Sequence, residues 1–437
     1  DKGLEKGAMR IFLLLLEVFF MATVVFAGEL RTYKLPNGAK LVVNKREDTE
    51  AVALHVWFKV GSAYEDYQQK GMAHFLEHML FNGSEKYPYG QIDYIIESLG
   101  GNLNAGTSKD YTFYHITIAK PYWKQALEVL YQLTQKPLLL EDMVEKEKPI
   151  VIEELRRGKD NPTTILWEEF EKVFYKVSPY RHPIIGYEET IQKFTRDMLL
   201  EFYRNFYQPR NMFVVVVGDV EPEEVYKEVL ETFGKEEGKP VPKVELLPEP
   251  EQLENRSKTI RDKRVERTYW LIGWRAPAIG TKEYYALAVL DQILGNGRTS
   301  LFYRELREKG LVYSISTGDF GKPRDNLFFI YATLDQERLE EVKARVFDLM
   351  KSLKETLTEE EVQKAKERLI NSEAFALERV ERDAFYIGYS LTVVGLLDYY
   401  KYFDNNIRSV RREDVLRVLE KYILSKPYSE VIMVPER

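Results

Sequence analysis

The sequence predicts an α+β fold made of two similar domains, each a sheet with helices packed on it, related by internal duplication. Three observations predict it. Apolar runs of strand length alternate with stretches of helical period along the body of the chain. Residues 235–252 carry Pro240, Pro242, Pro248 and Pro250 among Lys and Glu, which can continue neither a helix nor a central strand and read as an interdomain linker. The turn and helix-stop residues on the two sides of that linker recur in the same order.

Composition bounds the function. A chain of 437 residues is long enough for two or three domains with cores of their own. With 44% hydrophobic and 30% charged residues it is neither a disordered tail nor a polytopic membrane protein. Lys plus Arg number 63 against 70 Asp plus Glu, a net charge of −7, so no nucleic-acid partner held by a broad basic surface is expected. There is no cysteine, which removes disulfides, thiolate zinc sites, Cys nucleophiles and iron–sulfur clusters together. A transition metal must therefore be held by carboxylates and by the five histidines, His55, His74, His78, His115 and His182.

From the N-terminus, residues 1–8 read as upstream translation or a cloning remnant, with Met9 as the natural start. Arg10, the apolar run 11–26 and Val25-Phe26-Ala27 before Gly28 form a secretory signal, and residues 1–27 are assigned to it. The alternative is an uncleaved anchor, the one way in which this chain would meet a membrane. Either way the expected location is outside the cytoplasm, in the periplasm or cell envelope.

Residues 28–234 form the expected first domain. Strand signals at 40–44 and 51–60 are followed by a helix at 72–81 closed by Asn82-Gly83, a helical stretch at 141–158, and an apolar strand at 212–217. A helix at 222–233 opens on Pro222, a residue suited to a first helical position. The second domain, 253–437, has a strand at 268–274 and a helix at 284–294 closed by Gly295-Asn296-Gly297. Superposing the two Asn-Gly stops sets His74 opposite Ala288, Glu77 opposite Asp291 and His78 opposite Gln292. Residues 197–217 and 414–434 both read as helix, a loop with proline (Pro209, Pro427), then apolar strand. One copy carries the polar residues and the other, expected to be metal-free, has lost them.

The chemistry sits in His74-Phe75-Leu76-Glu77-His78. Positions i and i+4 lie on one helix face, so His74 and His78 can aim both imidazoles at one metal ion. Glu77 lies beside them as a general base for a metal-activated water, and Phe75, Leu76, Met79 and Leu80 fix the helix in the core. H-x-x-E-H is a zinc-hydrolase signature, inverted relative to H-E-x-x-H. A catalytic zinc keeps three protein ligands, and Glu154 is the third candidate, with Glu147 seven residues earlier on the same face, next to Ile150 and Val151, as a carboxylate that orients a ligand. Pro149 is expected to mark the start of the ligand-bearing helix, leaving Glu147 just before it.

The run 71–84, Gly-Met-Ala-His-Phe-Leu-Glu-His-Met-Leu-Phe-Asn-Gly-Ser, followed by Tyr87-Pro88, closely resembles the inverted-zincin peptidase family of pitrilysin, insulin-degrading enzyme and mitochondrial processing peptidase. The resemblance continues through Leu103-Asn104-Ala105-Gly106-Thr107-Ser108, Val151-Ile152-Glu153-Glu154 and the run 298–314, and covers nearly everything after the signal. It implies a processing-peptidase-like metallohydrolase fold and one zinc ion per chain. It implies that Glu154 is the third ligand and Glu147 its companion, Glu153 being the rival should the register slip by one. It further implies that Arg307 and Tyr313, from the second half, complete the active site, the Tyr toward a developing oxyanion and the Arg toward a substrate carbonyl. Asn104 and Ala105 match an edge strand that pairs with extended substrate, and Phe81 is assigned to substrate binding with them.

The expected function is therefore a zinc-dependent endopeptidase acting on short or unfolded polypeptides in a chamber. Larger relatives carry four such domains and this chain carries two, so a homodimer is expected, with Arg307 and Tyr313 serving the partner's zinc. The alternative is a non-catalytic peptide-binding chain, or one that works with a non-catalytic homologous subunit.

Overall fold

The computed structural model describes residues 29–436, so the expected export segment lies outside the described residues. Among the described residues no helix is long and apolar enough to cross a membrane. The expected α+β architecture of two related halves is what the structure has.

The first sheet comprises β1 (Glu29–Lys34), β2 (Lys40–Lys45), β3 (Ala51–Phe58), β4 (Asn102–Thr107), β5 (Thr112–Ala119) and β6 (Met212–Gly218), in the spatial order β1-β2-β6-β3-β5-β4. The second comprises β7 (Arg256–Asp262), β8 (Thr268–Ala276), β9 (Ser314–Asp319), β10 (Asn326–Leu334) and β11 (Ser429–Pro435), in the order β7-β11-β8-β10-β9. The orders correspond strand for strand once β1 is set aside. In each half the last strand slots between the first two, parallel to one (β2–β6, β7–β11) and antiparallel to the other (β3–β6, β8–β11). A strand in that central position is buried on both faces, which is why β6 reads Met-Phe-Val-Val-Val-Val-Gly rather than alternating.

Each sheet buries one face under helices of its own half. In the first half, Leu41, Val43, Val214 and Val216 pack in one core with Phe75, Leu76 and Met79 of the helix Met72–Leu80 and with Leu127 and Leu130 of the helix Trp123–Gln135. The opposite face is covered by the other half. Val42, Ala53, Trp57, Val215 and Val217 meet Val380, Ala384 and Ile387 of the helix Val380–Tyr389. Reciprocally, Leu166, Phe170 and Phe174 of the helix Pro162–Phe174 meet Leu271, Leu327, Val431 and Met433 of the second sheet. The halves thus exchange a helix across the linker. Residues 237–255 form neither helix nor strand, yet are docked: buried Glu249 accepts the amides of Lys176, Val177 and Ser178 at 2.5, 2.8 and 2.7 Å.

One local expectation is corrected. Pro149 does not begin a helix; it lies inside an unbroken one, Glu141–Lys159. Pro149, its neighbour Ile150 (51% exposed) and Glu145, the residue whose carbonyl a proline at 149 leaves without its partner, are all exposed, while Val144, Glu147, Val151 and Leu155 keep the inner face in the core on both sides of the proline. Ile150 accordingly does not share the inner face with Val151.

Candidate metal centre

The helix Met72–Leu80 is held by its apolar face, where Met72, Ala73, Phe75, Leu76, Met79 and Leu80 are all buried. That leaves His74, Glu77 and His78 on the half-buried side. The helix starts on Gly71 in the left-handed conformation (φ +99°), and a Cβ there would stand 2.4 Å from the carbonyl oxygen of Ile185. No neighbouring side chain caps the first turn; buried Glu65 does so from a distance, its Oε1 accepting from Gly71 N at 3.0 Å and Oε2 from Ala73 N at 2.7 Å. Burial pushes the Glu65 carboxyl up, against those amides and the charge of Lys70.

His74, His78 and Glu154 converge. Their candidate ligand atoms lie within 4.8 Å of one another. His74 Nε2 is 3.4 Å from Glu154 Oε1, and His78 Nε2 is 3.2 Å from Glu154 Oε2. Two ligands about 2.0–2.1 Å from a tetrahedral zinc stand roughly 3.3 Å apart, so the two imidazole–carboxylate distances match the spacing the ion requires. Glu153, the rival, is exposed and bonds to neither imidazole.

The outer ring of the site is also built. His78 Nδ1 lies 2.8 Å from Glu147 Oε1, and Glu147 Oε2 accepts from Asn82 Nδ2 at 3.0 Å. A hydrogen bond at Nδ1 leaves Nε2 for the metal. Burial alone would lower the affinity of His78 for a proton, but the Glu147 hydrogen bond and the charges of Glu147, Glu154 and Glu77 raise it overall. Burial likewise works against the Glu147 carboxylate, and the hydrogen bonds from His78 and Asn82 outweigh it, holding the group below the usual range. Glu154 is held low first by its hydrogen bond to His74, against burial, with the charges of both imidazoles helping. His74 Nδ1 is buried with no hydrogen-bond partner among the described residues.

Glu77 sits beside the cluster, and its Oε2 accepts a hydrogen bond from the Thr107 hydroxyl on β4. β4 is the outermost strand of its sheet, and Asn104 and Ala105 lie on it, the Asn104 Oδ1 accepting from Ala105 N at 2.8 Å. Phe81 ends the metal-site helix half-buried against the first core, its ring centroid 6.3 Å from that of Tyr114. Arg307 and Tyr313 are exposed in the second half and share no hydrogen bond, ion pair or ring contact with His74, Glu77, His78 or Glu154. Tyr313 donates instead to Asp335 at 2.8 Å under the Arg267 guanidinium, and the Asp335 hydrogen bond raises its pKa. Within one chain no direct bond joins these two residues to the metal cluster.

Three residues of the site have roles that the sequence pattern does not reveal: Glu65, Asn82 and Thr107. Asn82 reads only as a helix stop and Thr107 only as part of a run. The Glu65 cap carries no local signal, because it precedes the helix it serves by a turn of chain that the pattern does not describe.

A duplicated sheet-and-helix fold that gathers two imidazoles and a carboxylate on one helix pair, with a second carboxylate alongside, is the arrangement of an inverted-zincin metal site. The chain belongs to the insulinase family, peptidase family M16: residues 40–188 match the model described as Insulinase (Peptidase family M16) and residues 193–369 the model described as Peptidase M16 inactive domain. It is 28% identical to an uncharacterized zinc protease of Rickettsia bellii over 91% of this chain and 96% of that one. It is likewise 28% identical to the zinc protease PqqE of Helicobacter pylori over 92% of each chain. Among solved structures it is similar to a protease from Helicobacter pylori, with a TM-score of 0.89 and 26% identity over 94% of this chain and 100% of that one.

Proposed function

We propose that this chain is a zinc-dependent endopeptidase that cleaves short or unfolded polypeptides. The observation that carries the reading is the convergence of His74, His78 and Glu154 at zinc-ligand spacing with Glu77 beside them next to the edge strand β4. The names of its relatives, zinc proteases, support the same reaction class. His74, His78 and Glu154 would hold a zinc ion, which would supply the positive charge needed to activate water and polarise the scissile carbonyl.

The chain's own groups do the rest. An extended peptide adds to the open edge of β4 near Asn104 and Ala105, which only an unfolded segment can do. Glu77 takes a proton from the attacking water as its oxygen bonds to the carbonyl carbon. It returns that proton to the amide nitrogen as the C–N bond breaks, leaving a carboxylic acid and an amine, between which the remaining proton passes to give carboxylate and ammonium. Glu147 keeps His78 in the tautomer that leaves Nε2 available.

Because Arg307 and Tyr313 have no contact with the cluster of their own chain, the reading includes a homodimer in which they reach the partner's site and close a chamber. The signal-like sequence before Gly28 supports an exported, periplasmic or cell-envelope location.

The test is hydrolysis of a quenched fluorescent peptide library by residues 28–437, with chelator, with zinc restored, and beside Glu77→Gln. Cleavage that needs metal and is lost in Glu77→Gln with zinc still bound supports the reading. Zinc binding with no cleavage under any condition points to the non-catalytic alternative. Mixing His74→Ala with Tyr313→Phe chains should restore activity if sites are shared, and no restoration argues against the dimer.

A further inference from the structure

We infer that Thr107 is a positioning residue for the general base: its hydroxyl, fixed on the edge strand β4, sets the plane of the Glu77 carboxylate and so couples that base to the strand on which substrate docks. The inference rests on the peptidase reading above.

Three observations carry it. The Thr107 hydroxyl makes the one hydrogen bond to the Glu77 side chain among the described residues. A carboxylate on a flexible stem has two equivalent oxygens; occupying Oε2 with a donor leaves Oε1 to take the proton and stops the group from turning. Next, the donor is anchored. Thr107 pairs with Thr112 of β5 and Gly106 with Phe113, and a Cβ on Gly106 would come within 2.6 Å of the Phe113 ring, so strand and ring are in close contact there. Asn104 and Ala105 lie only three and two residues earlier on the same strand. A peptide added to β4 is therefore registered against the same backbone that aims the base.

The third observation is the repeat. In the second half the helix Lys282–Leu294 carries Asp291 where the first carries Glu77, and Asp291 Oδ1 accepts from the Thr317 hydroxyl on β9 at 2.5 Å. β9 holds the same place in its sheet as β4. Ala288 and Gln292 stand where the ligand histidines would be, so the Asp291–Thr317 bond serves no metal. A helix-to-edge-strand tie is thus a property of both halves, and in the first half alone it lands on the base. The second pair provides an internal control for the structural worth of such a bond.

The experiment uses the full chain and compares wild type, Thr107→Val, Thr107→Ser and Thr317→Val for zinc per chain, melting temperature, and kcat and KM on one quenched peptide. Thr107→Val should keep its zinc and change KM by no more than about twofold while kcat falls about tenfold to a hundredfold, the loss expected when a reacting group is misaligned rather than removed. Thr107→Ser, which restores the hydroxyl, should recover most of kcat. Thr317→Val should lower the melting temperature about as much as Thr107→Val does and leave kcat unchanged. Wild-type kcat in Thr107→Val, an effect confined to KM or zinc content, or an equal kcat loss in Thr317→Val would overturn the inference. Should Thr107→Val not fold, Thr107→Ala is read by the same criteria. Failure of the wild type itself to cleave peptide with zinc bound identifies the peptidase reading as wrong, and the inference falls with it.

Discussion

Glu147 and His78 are joined at 2.8 Å through Oε1 and Nδ1, and the second oxygen of Glu147 is taken by Asn82 at 3.0 Å. Both oxygens are thus engaged within the protein, which makes Glu147 an orienting group and leaves Glu154 as the carboxylate directed at both Nε2 atoms.

Replacing Glu147 by Gln removes the charge behind His78 and gives Nδ1 a weaker partner. Zinc affinity should fall about 10–100-fold with the fold intact. Competition against a chromophoric chelator measures it, and an unchanged dissociation constant would show that the contact does not tune the site.

Glu154→Gln should lose zinc far more severely, whereas Glu153→Gln, altering an exposed side chain, should bind as the wild type does. Metal content after dialysis separates the two variants. The reverse outcome would mean that the helix sits one residue out of register in solution.

Gly388 lies on the exchanged helix Val380–Tyr389, and a Cβ there would come 2.1 Å from Nε1 of fully buried Trp57 in β3. Gly388→Ala should therefore destabilise the chain by about 2–3 kcal/mol through overpacking, although alanine is the better helix former. A denaturant midpoint equal to that of the wild type would show that the two halves slide freely at this contact.

Glu373, half-buried on the helix Glu359–Leu377, has an Oε2 shut off from water without a hydrogen-bond partner. Burial, and then the charge of neighbouring Asp404, push its carboxyl up to about 9 from 4.5. Between those values the folded state holds a proton that the unfolded state releases, so this group's contribution is full below pH 4.5 and is lost as pH rises toward 9. Glu373→Gln, which cannot titrate, should match the wild type near the acid end of that window and exceed it at the alkaline end. The gap should grow by up to about 1.4 kcal/mol per pH unit. Parallel stability curves for the two proteins across this range would show that Glu373 is solvated and titrates normally.

Local order made much of this legible. His74, Glu77 and His78 lie within one turn, so helical period alone puts them on one face, and the apolar residues between them dictate which face stays open. The repeat is legible from its helix stops, and β6 and β11 are legible as apolar strands, although only the sheet order shows that both are central. Pro149 reads as a helix boundary in the sequence because the pattern does not tell which side of the helix faces solvent, and a proline on that side is tolerated.

What the sequence by itself determined, then, is what neighbours in the chain decide: the metal-site helix, the two-fold plan, the proline-rich junction and the absence of sulfur chemistry. The tertiary structure alone decided the contacts between residues far apart in the chain. It selected Glu154 over Glu153, bound Thr107 to Glu77, and paired Tyr313 with Asp335. It also exchanged the helices Pro162–Phe174 and Val380–Tyr389 between the halves. An amphipathic stripe records that a face must be buried but carries no address for the surface that buries it, and only the packing of complementary shapes such as Trp57 against Gly388 supplies one.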